Sequence, residues 1–194
     1  MLDKKEKEKI LELIKETIRK IAGKNSEAFV SFLYEKKNIN EFKIAEKLKI
    51  SVNQVRNFFY KLLEYNIISF TRKKDRRKGW YTYYWTLETD KTLEVLKKMK
   101  EQEIKALKQL AKSREIKTYY VCPNKCMEVT TETALLHEFF CPECGTLMMV
   151  SDEEKKIKEI ETKIKILEKD IETINCFLEK LHQKKEEKKK RRKK

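Results

Sequence analysis

The chain has 194 residues, a net charge of +15, 41% charged residues and a mean hydropathy of −0.76, which leaves apolar side chains for small cores only. The longest apolar runs fall far short of the ~20 residues of a membrane span, and the N-terminus MLDKKEKEKI lacks a signal-peptide core, so a soluble, cytoplasmic protein without membrane contact is expected. Five cysteines, four of them in two close pairs, fit a reducing compartment and a metal site better than a disulfide framework; Cys176 is the odd one.

In chain order, a first amphipathic helix carries Ile10, Ile14, Ile18 and Ile21, and Gly23 suits its C-terminal cap. Three short helices follow: Ser26 to Lys37 with Ser26 as N-cap, Glu41 to Leu48, and Val52 to Tyr65 capped by Ser51 or Asn53. The last two form a helix-turn-helix. Next, IISFTRKKDRRKGWYTYYWTL reads as a β-hairpin with a cationic tip, turning at Gly79. Three helices followed by a hairpin is the order of a winged helix, placed at residues 1–87. Alternation puts Tyr81, Tyr83 and Trp85 on one face and Trp80 and Tyr84 on the other, so one core cannot take all five rings and about half of them are expected to stay outside it.

Residues 88–117 read as a charged helical linker with an interrupted stripe of Leu93, Leu96, Met99, Leu107 and Leu110. Then Cys122-Pro-Asn-Lys-Cys126 and Cys141-Pro-Glu-Cys144-Gly, separated by fourteen residues, supply two thiolate pairs on two turns. Facing knuckles of this kind hold one structural Zn2+ in a tetrahedral four-thiolate site, giving a zinc ribbon at 118–150 with strands at Lys117 to Val121, Glu138 to Phe140 and Leu147 to Val150. Four thiolates fill the coordination sphere, so this metal folds the module and leaves no position for catalysis. His137 reads as a surface residue, and His182 carries no signal.

From Ile157 through Ile160, Ile164, Leu167, Ile171, Ile174, Leu178 and Leu181 the spacing alternates 3 and 4, a heptad helix over 151–183. Lys156 with Glu161 and Lys163 with Glu168 would suit a parallel dimer, but the same stripe can pack on the linker of its own chain. Self-association through 152–183 stays open. The tail 184–194 holds nine bases and two acids, and Arg72 to Lys78 six and one, leaving +3 for the rest of the chain. Charge this concentrated favours a polyanion or an acidic protein surface. A solvated, disordered end is the alternative for the tail.

The segment VRNFFYKLLEYNIISFTRKKDRRKGWYTYYWTL from Val55 to Leu87, above all Gly79 to Trp85, followed by a helical linker and a four-cysteine ribbon, resembles archaeal transcription factor E, the counterpart of the TFIIE alpha subunit. The resemblance covers residues 1 to about 150; the first knuckle departs from it, C-x3-C standing where C-x2-C is commoner. It implies a non-enzymatic basal transcription initiation factor that binds RNA polymerase at its clamp and stalk, cooperates with TATA-box-binding protein and contacts the non-template strand of opened promoter DNA. Arg72, Lys73, Lys74, Arg76, Arg77 and Lys78 are the candidates for tracking phosphates or an acidic polymerase surface, and Trp80, Tyr81, Tyr83, Tyr84 and Trp85 for stacking or protein contact. In the third helix only Asn53, Gln54, Arg56 and Asn57 are placed to reach base edges, a poor set for sequence reading. The rival is a dimeric winged-helix repressor with the heptads as its interface. An enzyme lacks a glycine-rich phosphate loop, a His-Glu pair at helical spacing and an open metal position.

Overall fold

The computed structural model describes residues 3–23, 26–74, 76 and 79–192, and the chain divides into two units, residues 1–99 with 173–194 and residues 100–172. It is mostly helical, with two small antiparallel sheets. Among the described residues no helix is long and apolar enough to cross a membrane.

In the first unit, α1 (Lys4–Ala22) opens with a capping box between Asp3 and Glu6, and the cap N–H of Gly23 donates to the Arg19 carbonyl. Ser26 does not cap α2 (Glu27–Leu33): its backbone is already helical and its buried hydroxyl donates to the Gly23 carbonyl at 2.6 Å. α2 stops four residues short of the expected Lys37, and Glu35 and Asn38 take positive φ. That turn delivers β1 (Ile39–Asn40), too short for its pattern to show in sequence, and Asn40 then caps α3 (Glu41–Leu48) by accepting from Phe42 N–H at 2.8 Å. α4 (Val52–Leu63) begins with the Ser51–Gln54 capping box. β2 (Ile68–Lys74) and β3 (Tyr81–Leu87) pair in register from Ile68 with Leu87 to Lys74 with Tyr81, and β1 pairs with the other side of β3.

One carboxylate ties these elements together. Glu41, fully buried at the start of α3, accepts from Arg56 Nε at 2.8 Å and Nη2 at 2.7 Å, and from the Tyr83 backbone N–H at 3.2 Å. Helices α3 and α4 and the hairpin therefore share one charge-assisted network. Around it Ile10, Ile14, Leu33, Ile44, Val55, Phe59, Ile67 and Trp85 form the core. Two further helices complete that core: α5 (Thr89–Ile116) contributes Leu93 and Leu96, and α7 (Glu153–Arg192) contributes Ile174, Phe177 and Leu178. Surface pairs of Lys180 with Glu6 and Lys185 with Asp90 flank the α7 contact.

In the second unit, β4 (Tyr119–Val121) lies between β5 (Glu128–Thr130) and β6 (Met149–Val150). The expected strand at Glu138 to Phe140 is reduced to a single bridge between Phe140 and Leu147, because Glu138 and Phe139 adopt positive φ. Residues between the cysteine pairs instead form β5 and the short α6 (Thr131–Leu136). The heptad stripe packs within the chain: Ile160, Ile164 and Leu167 are buried, and Lys100–Asp170 (2.9 Å), Lys108–Glu168 (3.2 Å) and Glu103–Lys163 (2.8 Å) link α5 and α7 side by side. Of the charges that would have faced a second copy, Lys156, Lys163 and Glu168 are thus engaged in cis. Beyond Leu181, α7 continues as helix to Arg192.

Arg114 clasps this unit. Its guanidinium makes two bonds to Glu128 (2.9 and 3.0 Å) and one to Glu153 (2.9 Å), and lies 4.6 Å from the Tyr119 ring centre. Lys156 and Ser151 also donate to Glu128. Arg114, and then Lys156, hold the Glu128 carboxyl down to about 2.

Two outcomes are expected. Ile174→Ala should lower stability by about 2–4 kcal/mol in denaturant unfolding, whereas Ile166→Ala on the same helix, 58% exposed, should change it by less than about 0.5 kcal/mol. Because the folded-state pKa of Glu128 is depressed, its contribution is complete above the ordinary value of 4.5 and fades as pH falls toward about 2. A Glu128→Gln variant should therefore be less stable at pH 7 and lose less stability than the parent between those limits, measured by acid titration of its unfolding free energy.

Candidate functional site

The two knuckles bring Cys122, Cys126, Cys141 and Cys144 together, with all four sulfurs within 4.8 Å of one another. Each turn is closed by backbone bonds around its first cysteine: Cys122 N–H donates to Met127 and its carbonyl accepts from Lys125, while Cys141 N–H donates to Thr146 and its carbonyl accepts from Gly145. Lys125 (φ 58°) and Gly145 (φ 69°) take the left-handed conformation the turns demand. The extra residue of the first knuckle is absorbed there without moving its sulfurs out of the cluster.

A tetrahedral metal with bonds of about 2.3 Å to sulfur sets its ligands about 3.8 Å apart, so the cluster is compatible with zinc. Cys122 and Cys141 are buried with Met148, flanked by Tyr120, Met127 and Val129; Cys126 and Cys144 face outward. Thr146 and, less strongly, Asn124 (Nδ2 to Cys144 Sγ, 3.5 Å) draw the Cys144 thiol down to about 5, while hydrogen bonding to Cys144 and Cys122 pushes Cys126 up to about 12. Four sulfurs this close cannot all ionise without a cation among them. His137 lies outside the cluster, exposed at the end of α6.

The hairpin separates its rings by depth. Trp85 is fully buried, packed by Phe59 (4.8 Å between centres), Phe70 (5.2 Å) and Tyr83 (6.0 Å). Tyr83 and Tyr84 are half-buried. Trp80 is 74% exposed and Tyr81 44%. Arg72 lies 4.9 Å from the Tyr81 ring centre and Lys73 5.4 Å from that of Tyr84, across the two strands on opposite faces. Lys74 and Arg76 are exposed; Arg77 and Lys78 lie outside the described residues. The outcome is a cationic edge strand with two bare rings beside it.

Residues not singled out from the hairpin's sequence also belong to this surface. Phe70 and Tyr60 are more than two-fifths exposed, and both touch Trp85 through their rings. Phe70 stands directly opposite Trp85 in the ladder, a pairing that hairpin register alone would have identified. Tyr60 comes from α4, and only packing brings it there.

α4 has little left with which to read bases. Arg56 is turned onto Glu41 and stacks 5.0 Å from the Tyr83 ring centre, its guanidinium held more firmly protonated by that carboxylate, and the Gln54 side chain accepts from Ser51 N–H. Of the four candidates, Asn53, Gln54 and Asn57 are exposed, Gln54 with its carbonyl oxygen engaged in the cap.

The TFIIE alpha subunit family model matches residues 12–115. The chain is 33% identical over 161 residues to transcription factor E of Metallosphaera sedula, covering 82% of this chain and 92% of that one. It is 30% identical over 164 residues to transcription factor E of Archaeoglobus fulgidus (84% and 92%) and 31% over 168 residues to that of Methanocaldococcus jannaschii (86% and 96%). With the aromatic hairpin, α5 and the four-cysteine cluster in the order described, the chain belongs to the TFIIE alpha family of transcription initiation factors, which includes archaeal transcription factor E.

Proposed function

We propose that this protein is a non-enzymatic initiation factor whose first unit is a winged helix that grips RNA polymerase at the clamp and captures the non-template strand of opening promoter DNA. The ribbon at 118–150, joined by the linker at 88–117, is its second docking module, toward the polymerase stalk. In this reading the factor assists TATA-box-binding protein by raising the lifetime of the open complex. The observation that carries it is the contrast between hairpin and α4: two exposed rings beside exposed cations, next to a helix whose arginine is turned inward.

Aromatic faces stack on any unpaired base, at about 1–3 kcal/mol each, while arginine and lysine neutralise phosphates without reading sequence. A helix whose exposed candidates are Asn53, Asn57 and the cap-engaged Gln54 offers no comparable duplex specificity. The repressor alternative is weakened by the same geometry, and further by a heptad stripe already covered within the chain.

In the ribbon, Cys122, Cys126, Cys141 and Cys144 would hold one Zn2+ as thiolates. The metal would supply folding free energy to a module with only Cys122, Cys141 and Met148 in its buried cluster, and no open coordination site. Leu136, Phe140, Leu147 and Met149 are exposed on this small module, an apolar display that favours protein contact.

Trp80→Ala with Tyr81→Ala should leave the unfolding free energy nearly unchanged but lower stimulation of promoter opening roughly tenfold on a duplex template. A template with a preformed bubble should show less of that loss; undiminished stimulation on both templates would remove the proposal. Metal analysis should return one zinc per chain, and chelation or Cys141→Ser should abolish hydrogen-exchange protection of residues 119–150.

A further inference from the structure

Past Leu181, α7 has no apolar residue in its remaining sequence, HQKKEEKKKRRKK, yet it stays helical to Arg192. Its root is anchored in the first unit, where Phe177 and Leu178 enter the core and Lys185 pairs with Asp90 at 2.6 Å. Lys184 is half-buried beside that anchor. Two local effects sustain the helix beyond it: Glu186 precedes Lys190 at the favourable i, i+4 spacing, and cations at a helix C-terminus oppose the carbonyl end of the dipole. The helical segment 186–192 is thus held at one end, and its sequence carries five bases against two acids.

We propose that this helical end is a nucleic-acid backbone site, independent of the hairpin, with phosphates of DNA as its ligand. A protein partner would need an apolar centre to exclude water, and residues 182–194 offer none. Phosphates need closely spaced cations, and gain from releasing condensed counterions. Lysine and arginine in succession, without aromatic residues for stacking, make the contact electrostatic and indifferent to sequence. The assignment goes beyond the initiation role, because it concerns binding of bare DNA and requires no polymerase.

The test uses the full chain with a 30-base-pair mixed-sequence duplex and an oligo(dT) of 30 nucleotides, binding being followed by fluorescence anisotropy from about 50 to 200 mM salt. Changing Lys188, Lys189, Lys190, Arg191 and Arg192 to Gln keeps helix propensity close to the parent's, which circular dichroism checks. The expected result is a log K against log salt slope shallower by about 2 or more and a loss of about tenfold or more at low salt. Lys188→Arg, Lys189→Arg, Lys190→Arg should keep the parent's behaviour. Whether the change is larger on duplex or on single strand identifies the source of the phosphates. A Gln variant whose slopes stay within about 0.5 of the parent's on both probes overturns the proposal. It is equally overturned if DNA binding is unchanged and only binding to polyglutamate is lost.

Discussion

The heptad stripe of α7 is the constraint on which both units depend. A chain so rich in charge cannot give each small module its own sufficient core, and one forty-residue helix supplies part of both. Its first turns bury Ile160, Ile164 and Leu167 in the unit of residues 100–172, while Ile174, Phe177 and Leu178 enter the core of the other. The positions that look in sequence like a dimer seam are therefore occupied by the protein's own helices. Packing in cis orders fewer separate bodies than association of two chains, and so carries the smaller entropic cost.

Within the first unit, Glu41 determines how α4 can be used. A fully buried carboxylate is costly unless its charge is met, and Arg56 meets it with two bonds while Tyr83 N–H adds a third. The same network that ties α3 and α4 to the hairpin removes from α4 its one strongly basic candidate for base contact. Stability of the scaffold and reading by the helix compete for one side chain, and the scaffold has it. Interaction capacity is left to the hairpin, where β2 is an edge strand whose cations discourage pairing with another sheet while remaining available to anions.

Much of this was legible from local pattern. The capping residue Ser51, the limits of α3, the turn at Gly79 and the clustering of four cysteines follow from short-range rules of backbone geometry and ligand chemistry. What escaped had weak local signal. β1 is two residues long, β5 and α6 lie in a stretch without clear period, and Ser26 donates back to Gly23 because the preceding turn brings that carbonyl within reach. The hairpin rings show the same division: alternation separates two faces, but Trp80 and Tyr81 are exposed because they lie toward the tip, beyond the reach of α4, and Trp85 is buried because it lies at the base.

By itself, the sequence determined the chemistry: four thiols spaced for two facing turns, six bases beside five rings, and a stripe of apolar residues at helical period. These properties depend on residue type and on separations of a few positions, which chain geometry translates directly into turns and faces. Only the tertiary structure decided which partner each face meets. Arg56 could have faced DNA and instead meets Glu41, fifteen residues away; the α7 stripe could have met a second chain and instead meets α5 and the N-terminal core. Such choices rest on long-range packing and on the cost of leaving a buried charge or an apolar face uncovered, and no local pattern contains that information.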